Sequence, residues 1–183
     1  MTPPSPSAIL LVDGYNIIGA WPSLLHARDR KGLEAARWQL VEAMINYSAF
    51  EGFNTQVVFD AHYRDSPGNS EIITENVSVH FTDFGQTADT FIEKICADIR
   101  QELRNFQKRL IVATSDRAHQ QTVTGYGAEW MSAYKLVCEV EATSQGIKRK
   151  HNKPRSHSAG RFLANSLDAK SRERLAELRM GFK

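Results

Sequence analysis

Cysteine is scarce in this chain of 183 residues, long apolar runs are absent, and no glycine-rich phosphate loop follows a strand-like segment. Each absence removes a class of protein. The two cysteines, Cys96 and Cys138, fit reduced thiols better than a disulfide framework or a zinc site. Both fall inside apolar helical patterns and are expected to be buried, reduced thiols. No apolar stretch approaches the roughly 20 residues that cross a bilayer, so a membrane span is not expected. The opening MTPPSPS has neither the basic nor the apolar part of a signal peptide; residues 1–7 read as a flexible tail and the protein as cytoplasmic. Without G-x-G-x-x-G or a Walker loop, a nucleotide cofactor is disfavoured.

An overall excess of charge is also missing, at a formal net +2, but the distribution is uneven. From Ile147 to Phe162 the chain reads IKRKHNKPRSHSAGRF, with Lys148, Arg149, Lys150, Lys153, Arg155 and Arg161 and no acid, while the remainder is acidic. Clustered Lys and Arg gain by releasing counterions from a phosphate backbone, so the segment suits a polyanion. Pro154 and the neighbouring Ser and Gly indicate a mobile loop.

What is present is an alternation of apolar runs and helical stripes. Ala8–Asp13 (AILLVD), Thr55–Asp60 (TQVVFD), Asn76–Thr82 (NVSVHFT) and Arg109–Thr114 (RLIVAT) read as strands, the first continuously apolar as in a strand covered on both faces. Leu33–Glu51 reads as a helix stopped by Gly52, and Thr87–Phe106 as a second with Ile92, Ile95, Cys96, Ile99, Leu103 and Phe106 in one stripe. Further helices are expected from Asp116 toward Gly125, over Met131–Gln145 with Tyr134, Val137, Cys138 and Glu141 aligned, and over Leu167–Arg179. The alternation predicts an α/β fold with a mostly parallel sheet and helices on both faces. The length suits one domain over residues 8–147, with the basic loop and terminal helix of residues 148–183 packed on it.

In such sheets ligands sit at the carboxyl ends of the strands, and acids collect there. Asp13, Asp60 and Asp116 each end or follow a strand, and Asp89 and Glu93 lie four apart on one face of the long helix. Converging carboxylates repel unless a divalent cation neutralises them, and hard oxygen donors point to Mg²⁺ or Mn²⁺. Any single acid could instead cap the helix that follows, or sit at its positive end. Gly14 is expected to let the chain turn sharply after Asp13, and Asn16 either returns to the pocket or stabilises that turn. Thr114 and Ser115 add hydroxyls at the same mouth. Tyr15, Trp21 and Tyr63 are candidates to stack on bases or simply to pack.

The motifs VDGYN (Val12–Asn16), QTADTFIEK (Gln86–Lys94) and VATSD (Val112–Asp116), with the closing LRMGF (Leu178–Phe182), resemble the YacP-like branch of the NYN domains, which have the PIN-like nuclease fold. The resemblance implies a three-layer α/β/α domain with an acidic, metal-dependent endoribonuclease centre, and relatives that cut messenger RNA on the translating ribosome. It assigns the essential acids to Asp13, Asp89 and Asp116, with Asn16 and Glu93 beside them and Asp60 as a further metal ligand. One departure stands out. Where the family tends to carry an acid and a glutamine after TSD, this chain reads Arg117-Ala118-His119-Gln120-Gln121, and metal affinity or substrate contact at that rim is expected to differ.

The expectation is thus hydrolysis of RNA by Asp13, Asn16, Asp89, Glu93 and Asp116 around Mg²⁺ or Mn²⁺ at Asp13, Asp89, Asp116 and Asp60, with Lys148 to Arg161 gripping the RNA backbone. The alternative is a non-catalytic RNA- or ribosome-binding module on the same fold, for which an acidic pocket brings no gain. A haloacid dehalogenase-type phosphatase would need an aspartate two residues after its nucleophile, where this chain has Tyr15.

Overall fold

The computed structural model describes residues 6–61, 68–106 and 109–152. In chain order it contains β1 (Ala8–Asp13), α1 (Gly14–Ala20), α2 (Pro22–Lys31), α3 (Leu33–Glu51), β2 (Phe53–Phe59), β3 (Asn69–Thr74), β4 (Val77–Phe81), α4 (Ala88–Phe106), β5 (Arg109–Ala113), α5 (Arg117–Tyr126), β6 (Glu129–Met131) and α6 (Ala133–Asn152). The chain divides into two compact units, Met1–Ile147 and Lys148–Lys183.

The apolar run of β1 is explained by its place inside a six-stranded sheet of order β3-β4-β2-β1-β5-β6. Leu10 and Val12 enter one core with Val57, Phe59 and Ile111, whereas Leu11 enters the other with Val58, Leu110 and Val112. A strand with both faces covered has no position for a polar side chain until it ends. All pairings are parallel except that of β3 with β4. Helices α1, α2, α3 and α6 cover the first face, and α4 and α5 the second, giving three layers. The α/β class, the mostly parallel sheet and the layering agree with the reading of the sequence.

Local details differ where short-range signals were weak. The long helix packs Ala88, Ile92 and Cys96 inward as its stripe requires, and Gly52, at φ +70°, ends α3 in the left-handed region that glycine tolerates. Two strands escaped the sequence pattern: β3, an edge strand with a mostly exposed pattern, and the three-residue β6. Met131 therefore ends a strand paired with Ala113, and α6 begins after Ser132, whose Oγ accepts the Lys135 N–H at 3.1 Å.

The buried face of α6 is Ala133, Leu136, Val140 and Thr143, rotated from the expected stripe. Aliphatic Leu136 and Val140 go inward while Tyr134 faces out, and Cys138 is exposed, contrary to the expectation of two buried thiols. The basic segment is also not a loop from its start. Lys148, Arg149 and Lys150 continue α6, because nothing interrupts the helix until the approach to Pro154. Lys153, Arg155, Arg161 and the Leu167–Arg179 helix lie outside the described residues. At the other end, Ser7 is not loose: its N–H bonds the Gly52 carbonyl at 2.9 Å, and its Oγ donates to the carbonyls of Glu51 and Gly52.

Candidate active site

Asp13 stands where β1 passes directly into α1, at the N-cap position, yet it makes no side-chain capping bond. Its Oδ2 instead accepts a hydrogen bond from Thr114 Oγ1, 3.2 Å away at the end of β5. The expected sharp turn at Gly14 is absent, since α1 begins at that residue. Glycine is needed there for a different reason. A Cβ at Gly14 would lie 2.3 Å from Phe59 Cε1 and 2.9 Å from the Val58 carbonyl oxygen, so only a bare α-carbon lets α1 start this close to β2.

Two more side chains reach the same edge. Asp89 sits in the first turn of α4, which Asp60 caps by accepting the Ala88 N–H on its Oδ1. His119 comes from the first turn of α5, held in place by Asp116, whose Oδ1 accepts the N–H groups of Ala118 at 2.7 Å and His119 at 3.2 Å. One ligand atom from each of Asp13, Asp89 and His119 lies within 4.8 Å of the others. His119 Nδ1 is 3.0 Å from Asp89 Oδ1, while neither ring nitrogen meets hydrogen-bond geometry. The contact is an attraction at ion-pair distance, not an aligned hydrogen bond. A histidine only 2% exposed with both nitrogens unsatisfied is costly unless something else takes a nitrogen lone pair.

The electrostatics agree with that geometry. Burial pushes the Asp13 carboxyl up to about 7, and the neighbouring Asp89 charge adds to the rise, against the pull of His119, the Thr114 hydroxyl and the Asn16 N–H. Contact with His119 holds Asp89 below its usual range despite partial burial. Burial works against a charged His119 ring, but the contact with Asp89 and the charges of Asp89, Asp13 and Glu93 outweigh it and raise the imidazole pKa. A cation among these groups would remove the repulsion between carboxylates and satisfy the imidazole. Two carboxylate oxygens and one imidazole nitrogen suit a divalent metal.

The other residues marked in the sequence hold the centre from outside. Asn16 Oδ1 accepts the Ser115 N–H at 2.6 Å, tying α1 to the β5–α5 turn, and Thr114 Oγ1 accepts the Asp116 N–H at 3.2 Å while donating to Asp13. Glu93, one helical turn after Asp89, is partly buried and close enough to act on the His119 charge, but is not in the group that Asp13, Asp89 and His119 form. Asp60 and Asp116, expected as ligands, are likewise not in that group; each is seen capping a helix. Trp21 is only 6% exposed and packs in the core, so it is unavailable for stacking on bases; Tyr63 lies outside the described residues. The sequence did hold a sign of His119: it stands four residues before buried Val123, on the apolar face of an otherwise polar helix.

Comparison with known proteins places this geometry. The profile of the YacP-like NYN domain matches residues 10–180. The YacP protein of Bacillus subtilis (strain 168) is 39% identical over 158 residues, covering 86% of this chain and 89% of that protein. A crystal structure of Rae1 (YacP) from Bacillus subtilis, a tryptophan-to-leucine mutant, superposes with a TM-score of 0.68 at 35% identity, covering 93% of this chain and 99% of that one. A second Rae1 (YacP) structure from the same organism gives 0.65 at 35% identity, covering 94% and 95%. NYN membership supports a nuclease-type function directed at RNA. With the motifs, the fold and both alignments in accord, the chain belongs to the YacP-like NYN domain family.

Proposed function

We propose that this protein is a metal-dependent endoribonuclease that hydrolyses phosphodiester bonds in messenger RNA in association with the ribosome. The observation that carries the reading is the convergence of Asp13, Asp89 and a buried, unsatisfied His119 within 4.8 Å at the carboxyl edge of the sheet. These side chains would hold Mg²⁺ or Mn²⁺, and the imidazole nitrogen favours Mn²⁺. The ion supplies water activation and charge neutralisation at the phosphate.

The chain's own groups supply the rest. Thr114 fixes the Asp13 carboxylate through its hydroxyl, and Asp116 fixes His119 by capping α5. Asn16, with its carbonyl oxygen committed to Ser115, offers its NH₂ group to the substrate, and Glu93 at the rim orients the attacking water. Water adds to phosphorus and the 3′ oxygen leaves with a proton, giving a 5′-phosphate and a 3′-hydroxyl. Lys148, Arg149 and Lys150 on α6, with Lys153, Arg155 and Arg161 beyond it, grip the RNA backbone without reading its sequence. No helix among the described residues is long and apolar enough to cross a membrane.

Incubating the full chain with RNA and Mn²⁺, with and without translating ribosomes, tests the reading against Asp13→Asn and Asp89→Asn. Loss of cleavage by about a hundredfold or more is expected in both, since even outer-shell partners of metal sites cost roughly 10- to 100-fold. Equal cleavage by wild type and both variants would refute it and favour the non-catalytic RNA-binding module.

A further inference from the structure

On the opposite face of the sheet from Asp89 and His119, a cavity opens between α3 and the ends of β2 and β4, and the proposed chemistry makes no use of it. Glu34, Arg37 and Trp38 line it from α3, Glu71 from β3, Phe59 from β2 and Phe81 from β4. Its floor is a closed aromatic pair: the Phe59 ring, only 1% exposed, stacks on Phe81 with centroids 5.5 Å apart and planes 25° from parallel. The Arg37 guanidinium lies 5.7 Å from the Phe81 centroid, and Nη1 donates to the Tyr15 hydroxyl at 3.0 Å. Trp38 at the rim is 56% exposed, so its indole is not committed to the core.

The lining selects its ligand by exclusion. The Arg37 guanidinium already occupies the place over the Phe81 ring to which a cation would otherwise be drawn. Glu34 and Glu71 disfavour a phosphate, which Arg37 alone would attract. What remains is a neutral planar group with both acceptors and donors on its edge, lying on the exposed Trp38 indole at the rim. An unpaired nucleobase has that chemistry: any base stacks on aromatic rings, and Arg donors and carboxylate acceptors read its edge. A purine presents the larger stacking surface. Guanine matches the polar lining best, with O6 and N7 for Arg37 and N1–H and the 2-amino group for a carboxylate.

The cavity is joined to the candidate centre by the chain itself. Tyr15 follows Asp13 by two residues, its ring packs 5.0 Å from Phe59, and its hydroxyl accepts from Arg37. β4 lies two strands from β1, about 10 Å away at roughly 4.8 Å per strand, a separation that RNA laid along the sheet edge can span. We infer that the cavity formed by Arg37, Trp38, Glu71 and Phe81 is a specificity subsite for one unpaired purine of single-stranded RNA, guanine before adenine, beside the bond cleaved. Its position relative to the cut rests on the nuclease reading; base binding in the cavity does not require catalysis.

Fluorescence anisotropy on the full chain in EDTA, with labelled uridine heptamers carrying a central guanosine, adenosine or abasic nucleotide, tests it. The guanosine heptamer is expected to bind about fivefold or more tighter than the abasic one, with adenosine between them. Trp38→Ala should abolish that difference, Trp38→Phe should keep most of it, and Glu71→Gln should narrow the gap between guanosine and adenosine. Equal affinity for all three heptamers overturns the subsite while leaving the nuclease reading intact. No heptamer binding at all likewise overturns the subsite, while the nuclease reading stands or falls on cleavage in Mn²⁺. Loss of Mn²⁺-dependent cleavage in Asp89→Asn with the guanosine preference retained supports both independently.

Discussion

The two faces of the sheet meet at one edge but differ in how well their groups are satisfied there. On the α4 and α5 side, Asp13 and Asp89 repel each other and a buried His119 has no aligned hydrogen bond. On the α3 side, Phe59 and Phe81 stack, and Arg37 is bonded to Tyr15 and lies over a ring. The first arrangement is unfavourable as it stands and becomes favourable with a cation. The second is stable in itself and leaves only its rim open. Unsatisfied local physics marks the place where a protein binds something, and satisfied physics the place where it presents a preformed surface.

The largest expected effect tests the strain on the first face. Asp13 ionises near 3.8 when unfolded and near 7 when folded. The folded state keeps the proton through that window, so the associated stabilisation is complete below the unfolded value and lost as pH rises through the folded one. His119, also raised, has the same sign of slope but only above its unfolded value of 6.5, so the slope below that value belongs to Asp13. Stability of the metal-free protein should therefore fall between about pH 4 and about pH 7, by up to about 4 kcal/mol at roughly 1.4 kcal/mol per unit. Urea unfolding across that range should show Asp13→Asn to be nearly flat. A variant with the full wild-type slope would mean that Asp13 is not strained.

Gly14→Ala tests the junction between the faces. The Cβ would collide with Phe59 and the Val58 carbonyl, and a loss of about 1–3 kcal/mol in chemical denaturation is expected, with impaired cleavage. No loss of stability would mean that α1 can shift without disturbing either face.

Asp60→Ala removes the cap of α4 and should cost about 1 kcal/mol, with cleavage reduced only modestly. A hundredfold loss of cleavage without loss of stability would make Asp60 a ligand instead. The smallest effect belongs to the helix end: replacing Lys148, Arg149 and Lys150 with alanine should lower RNA affinity and flatten its dependence on salt, by roughly 0.7 in log–log slope for each phosphate no longer neutralised. An unchanged slope would separate α6 from RNA binding.

What was legible in the sequence follows the same division. Apolar strands ending in acids, and the strong stripe of α4, revealed the sheet and the mouths where Asp13 and Asp89 sit, because burial on both faces leaves a continuous pattern. Asp60 and Asp116 carried the same local pattern and are seen as caps, since capping and ligation both place a carboxylate at a helix start, and only the third dimension separates them. β6 was hidden because three residues carry no period, and the α6 face was misjudged because Tyr134, Val137 and Cys138 mimic a stripe that Leu136 and Val140 occupy. The Arg37 and Phe81 cavity was invisible because its parts come from α3, β2, β3 and β4, distant in the chain.

The most direct test of the central claim, that Asp13, Asp89 and His119 form one metal centre, is calorimetric titration of the full chain with Mn²⁺ beside Asp89→Asn and His119→Ala. The predicted result is one class of site in the wild type, weakened by about tenfold or more in each variant, with circular dichroism unchanged. Equal Mn²⁺ binding by all three proteins would contradict the claim.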